Sequence, residues 1–114
     1  MDQFIEKKGL IIKPNKSNSW SKSHCMLPTA LKINDNKYRI FYGTRNKNNQ
    51  SIITYDEIFF KKDKQLIKKS NKIVLNMGDL GNFDDNGVLP SSIIKINNIY
   101  YLYYIGWQPR VTTR

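Results

Sequence analysis

Residues 24–44, HCMLPTALKINDNKYRIFYGT, and residues 86–106, NGVLPSSIIKINNIYYLYYIG, align without a gap at an offset of 62 positions. Leu27 meets Leu89, Pro28 meets Pro90, Thr29 meets Ser91 and Leu31 meets Ile93. Asn36 meets Asn98, and Tyr38, Ile40, Phe41 and Tyr42 meet Tyr100, Leu102, Tyr103 and Tyr104. Each copy reads as a Leu-Pro-small-small strand, a tight turn and an aromatic strand. Such a period marks a supersecondary unit whose apolar face is buried by its neighbours. With two further runs between the copies, the unit has four antiparallel strands, the composition of a β-propeller blade. The expected fold is therefore all-β: the first one and a half blades of a propeller, with blade one at about 24–77 and the start of blade two at about 86–114. A propeller closes only with several blades, typically 4–8. The repeat thus predicts the N-terminal part of a longer, single-domain protein. The alternative is a self-contained barrel or sandwich of about six strands.

The rest of the chain agrees with an all-β reading. Helix signals are poor, and short β-branched and aromatic runs are punctuated by Asn, Gly, Asp and Ser. The runs are 27–33, 38–45, 51–60, 72–77, 89–96 and 100–107. NDNK at 34–37 and INN at 97–99 sit where hairpin turns belong, since Asn and Asp tolerate left-handed conformations. YYLYYIGW, apolar on both faces, predicts a strand covered on both sides. The tyrosines are expected mostly in the core. SIITYDEIFFKKDK turns polar at its end and predicts an outer strand. KKDKQLIKKSNK, at 61–72, predicts a solvated connection.

A formal net charge of +10 is compatible with a nucleic acid or anionic glycan partner. Lys, Asn and Ile are enriched together, however, as codon bias in an AT-rich genome would produce, and nucleic acid is the less favoured partner. No ribonucleoprotein motif is present, and GDLGNFDDNG lacks the Gly-Lys-Ser/Thr ending of a phosphate loop. One cysteine, Cys25, and one histidine, His24, exclude a multi-thiolate metal site, and neither metal nor cofactor is expected. The N-terminal residues show neither a signal peptide nor a membrane span, which makes a cytoplasmic location the expectation.

HCMLPTAL, YRIFYGTRN and SIITYDEI, followed by GNFDDNGVLPSSIIKINNIYYLYYIGW, resemble the five-bladed β-propeller glycosidase superfamily. That group includes glycoside hydrolase families 32, 43 and 68. The likeness is greatest to its glycosidase-related members associated with surface-polysaccharide gene clusters, and it covers about residues 18 to 108. It implies a carbohydrate substrate and a funnel lined by three carboxylates: an Asp from blade one, an Asp from blade two and a Glu from a later blade. Such groups divide into an ionised carboxylate and a neutral acid about an oxocarbenium-like transition state. In this sequence the place of the first Asp is Leu27 and its match in blade two is Leu89. The nearest acids are Asp84 and Asp85, and a third-blade Glu would fall beyond Arg114. The chain by itself is therefore expected to be inactive.

Asp84 and Asp85 are the catalytic candidates, lying in the loop that enters the second inner strand. The structural alternative is an Asx-rich turn bonding its own backbone. His24 and Asn86 occupy the same place in the two copies, just ahead of the inner strand, and are candidate substrate contacts. Arg45, at the end of the first aromatic strand, could pair with a funnel acid or an anionic sugar, and Trp107 could stack on a sugar face. Cys25 reads as a structural thiol. Two other functions fit the same residues: a non-catalytic glycan-binding or structural propeller, and a basic β domain that binds an anionic polymer.

Overall fold

The computed structural model describes residue 5 and residues 9–109; residues 1–4, 6–8 and 110–114, the last belonging to the expected second unit, lie outside the described residues. Among those described there is no helix. Six strands form, β1 (Ser23–Asn34), β2 (Lys37–Arg45), β3 (Ser51–Lys61), β4 (Lys64–Lys69), β5 (Gly87–Ile96) and β6 (Ile99–Trp107). They make one open mixed sheet in the order β1-β2-β3-β5-β6, with β4 attached to β3.

The two copies of the repeat become the hairpins β1–β2 and β5–β6. Both turn at equivalent positions, Asn34 facing Lys37 and Ile96 facing Ile99. The turns differ in detail. Asn97 and Asn98 both adopt positive φ, 51° and 65°, the geometry of a type I′ turn, whose twist matches that of paired strands. Asp35 and Asn36 turn without positive φ, and the Asn36 N–H donates to Asn34 Oδ1 at 2.9 Å. From there the registers diverge: the first hairpin has three register shifts, at 23/26, 26/29 and 32/34, and the second has one, at 90/92.

Four sequence expectations are corrected. First, 72–77 is not a strand; Leu75 alone bridges Ile53. The fourth strand is instead β4, inside the lysine-rich stretch expected to be a connection. Its exposed Lys64 and Lys68 suit an edge, where charge deters further pairing. Second, β3 is not an outer strand. Ser51 to Thr54 and Asp56 to Ile58 are buried, because β2 covers one edge from Ser51 to Phe59 while the other edge is divided. On that second edge β4 pairs with Asp56–Lys61, Leu75 bridges Ile53, and Gly87 pairs with Ser51 in the sheet's single parallel contact. Third, β6 is not covered on both faces: Tyr100, Tyr101, Tyr103, Tyr104 and Ile105 are all exposed, Tyr103 by 57%. Fourth, among the tyrosines only Tyr42 is fully buried.

The core lies where the second hairpin meets the first unit. Leu31, Phe41, Ile53 and Val88 form its centre, joined by Ile33, Tyr55, Leu75, Ile93 and Leu102. Burying such a side chain is worth about 1.5–3 kcal/mol, so this seam is the main adhesive between the two units. Leu89 of β5 lies so close to Gly43 of β2 that a Cβ there would run into its side chain.

Candidate functional site

Five strand ends converge at one end of the sheet. Arg45 closes β2 and faces Ser23 of β1 on one side and Ser51 of β3 on the other. Ser51 pairs with Gly87 at the start of β5, and Gly87 with Trp107 at the end of β6. The glycine is required by close approach: a Cβ at position 87 would meet Ser51 Oγ and Trp107 Nε1. The space it leaves lets the indole N–H donate to Ser51 Oγ at 2.9 Å, while the Ser51 hydroxyl donates to the Val88 carbonyl at 3.0 Å. The indole is thereby fixed, and the Arg45 guanidinium carbon lies 5.6 Å from its ring centroid, a cation–π distance. Arg45 Nε is buried without a hydrogen-bond partner.

The acidic loop runs into this end. Asp84 is only 8% exposed. Its carboxylate lies against Gly78 and its Cβ against Gly106, both positions without room for a side chain. Its backbone carbonyl accepts from Gly78 N–H and Gly87 N–H at 3.0 and 3.2 Å. Asp85 follows the turn reading: its Oδ2 accepts from the Gly81 N–H at 2.9 Å and from Gln108 Nε2 at 3.3 Å. Asn86 contributes through its backbone, its N–H donating to the Trp107 carbonyl and its carbonyl accepting from the Ser51 N–H, each at 3.2 Å.

His24 stands apart from that stack, at the irregular start of β1. It and Leu27 adopt left-handed φ values of 70° and 50°, and they coincide with the register shifts at 23/26 and 26/29. Left-handed backbone costs a side-chain-bearing residue about 1–2 kcal/mol, and bulges of this kind re-aim side chains. His24 Nδ1 lies 2.7 Å from Ser23 Oγ, and the ring borders an open groove of about 780 Å³ with Lys13, Asn15, Lys16 and Lys69. The structure thus brings together Arg45, Asn86 and Trp107, with Asp84 and Asp85 in the adjoining loop, and places His24 on a basic groove.

A second polar cluster was missed from the sequence. Asp56, 1% exposed, accepts from the Tyr42 hydroxyl at 3.0 Å and from Lys69 Nζ at 2.7 Å. Burial, then the charge and hydrogen bond of Asp56, push the Tyr42 phenol up. Burial also pushes the Cys25 thiol up, which disfavours the thiolate a nucleophile requires. The signal was available: an acid at the centre of the apolar run ITYDEIFF must find a partner, because an unpaired buried carboxylate is prohibitive. Beside it, Glu57 accepts from Arg39 Nε and Nη2 at 3.2 and 3.0 Å and pairs with Lys37 at 3.3 Å. Burial alone would raise its carboxyl, but the bonds from Arg39 and Lys37 prevail and hold it below the ordinary value.

Among the described residues, no group of three His, Cys, Asp or Glu could hold a metal, and no helix is long and apolar enough to cross a membrane. No family model matches the chain, and no solved structure matches it. It is similar to two curated proteins of Mycobacterium tuberculosis, the uncharacterized proteins MT1551 of strain CDC 1551 and Rv1502 of strain H37Rv. Each is 32% identical over 106 residues, which is 93% of this chain and 36% of the relative. The chain therefore spans about a third of the length of these curated relatives.

Proposed function

We propose that the chain is part of a carbohydrate-active five-bladed β-propeller that binds, or acts on, a glycosidic substrate at the end of the sheet where Arg45 and Trp107 meet. One observation carries the reading: an indole fixed by Ser51, with a guanidinium over its face, beside a loop bearing Asp84, Asp85 and Asn86. An aromatic face accepts the C–H surface of a sugar, and convergent polar groups take its hydroxyls. The packing of the repeats supports the propeller. Pro28 and Thr29 of β1 and Pro90 and Ser91 of β5, equivalent in the two copies, border one shallow cavity of about 270 Å³. Phe41 is buried in the shared core, while Tyr103, its equivalent in the second copy, is exposed. The face that the second unit covers on the first is thus uncovered on the second.

A non-catalytic glycan-binding role is the second reading. Asp85 is occupied by turn hydrogen bonds, and Leu27 stands where the resemblance puts the first acid. In either case the longer protein would serve surface-polysaccharide metabolism. The test is titration with a panel of oligosaccharides, together with aryl glycosides as substrates. Saturable binding is expected, weakened about tenfold or more by Asp84→Asn with the fold retained; each tenfold is about 1.4 kcal/mol. Binding to no glycan, or binding only to nucleic acid with a steep salt dependence, sinks the proposal. Turnover of an aryl glycoside selects the enzyme over the binder.

A further inference from the structure

We propose that Arg45 and Trp107 form a subsite for the acidic group of an anionic sugar, the carboxylate of a hexuronate unit. This rests on the glycan reading above and specifies its substrate class. The argument begins with the half-buried cations. Lys37, Arg39 and Lys69, with side chains 25%, 29% and 29% exposed, are each paired with a carboxylate, Glu57 for the first two and Asp56 for the third. Arg45 is the exception. It is half-buried, its Nε is enclosed and unbonded, and among the described residues no acid forms an ion pair with it. A guanidinium cannot escape the cost of desolvation by losing its proton, so this position is costly without an anion.

Arg39 shows what such a side chain does when its anion is built into the fold. Its guanidinium carbon lies 4.6 Å from the Tyr55 ring centroid, and Nε and Nη2 both donate to Glu57. Arg45 has the same stack, on Trp107, with no carboxylate from the described residues. Of the acids in the adjoining loop, Asp85 is already engaged by Gly81 and Gln108. The ring under Arg45 is itself fixed through Ser51, so the aromatic half of the subsite is set before a ligand arrives, and the guanidinium fork suits bidentate recognition of a carboxylate. A carboxylate on a pyranose ring supplies both halves of the match, an anion for the guanidinium N–H groups and a C–H face for the indole. The net charge of +10 favours the approach of an anion.

The experiment follows the Arg Nε–H and Trp Nε1–H resonances of the whole chain during titration with sodium glucuronate, with methyl glucoside and with sodium sulfate. Glucuronate is expected to shift the Arg45 and Trp107 signals saturably, at least tenfold more tightly than methyl glucoside. Arg45→Gln should abolish that preference and Arg45→Lys should keep part of it, each variant giving a dispersed spectrum. Equal binding of glucuronate and methyl glucoside at Trp107 overturns the anionic subsite and leaves the glycan reading standing. A sulfate response matching that of glucuronate shows an anion site without sugar selectivity and overturns the hexuronate assignment. No response to any of the three overturns it as well, and the oligosaccharide panel then decides separately on the broader reading. A glucuronate shift that survives Arg45→Gln unchanged removes Arg45 from the site.

Discussion

At the scale of single residues, the polar groups of β2 and β3 carry pH-dependent stability of opposite sign. Glu57 has a depressed carboxyl in the fold; its contribution is present above the carboxyl's unfolded value and is lost as pH falls through the lower folded one. Glu57→Gln should cost about 1.5–3 kcal/mol at neutral pH, in line with hydrogen bonds to charged groups. The gap to the parent should close as acid titrates the parent's carboxyl, as read by urea unfolding at a series of pH values. Tyr42 behaves oppositely. Its phenol is raised, so its contribution is complete below the unfolded tyrosine value and fades as pH rises beyond it. Alkaline spectrophotometric titration should find Tyr42 silent until the protein unfolds. Leu27 offers a third test. Its side chain is 48% exposed while its φ is 50°, so Leu27→Gly should gain about 1 kcal/mol by relieving left-handed strain. A loss on thermal melting would mean that the leucine's packing outweighs its backbone cost.

At the scale of elements, the repeat made the two hairpins legible, because turn residues and aromatic strands recur at a fixed offset and local chemistry decides both. Burial was less legible. β3 looked peripheral because SIITYDEIFFKKDK ends in charge, yet that charge belongs only to its last turn-ward residues, and the acids within it are neutralised by Arg39, Lys37 and Lys69 from other strands. Such pairings connect distant positions, and composition along one strand does not reveal them. β4 was hidden for a related reason, since an edge strand guarded by lysine has the composition of a solvated loop. The Arg45 and Trp107 stack was legible as two candidates but not as a pair, because their meeting depends on the glycine at position 87. Gly43 makes the same point by experiment. Gly43→Ala should cost about 1–3 kcal/mol through overpacking, and Leu89→Ala in the same chain should recover part of it by opening the space that Leu89 fills.

At the scale of the whole molecule, the described strands form an open sheet with an aromatic edge. The Cα radius of gyration is 16.0 Å, against about 13 Å for a compact domain of about 100 residues. Strands Ile99–Trp107 carry no charged side chain, so β6 lacks the lysines that guard β4, and an unguarded apolar edge invites pairing. Tyr103→Lys should therefore reduce concentration-dependent association, measured by sedimentation, without lowering the melting temperature much. The divided edge of β3 has a separate outcome. Within the sheet only Ser51 and Gly87 pair the backbones of the two hairpin units, and the remaining attachment is the Ser51 hydroxyl's bonds to Val88 and Trp107 together with the shared apolar core. The β5–β6 hairpin is therefore expected to open as a cooperative block, its amide protons exchanging with deuterium at one common, lower opening free energy than those of β2 and β3. One residue pair of ladder joins the two hairpin units, and exchange read hairpin by hairpin measures how far their shared core couples them.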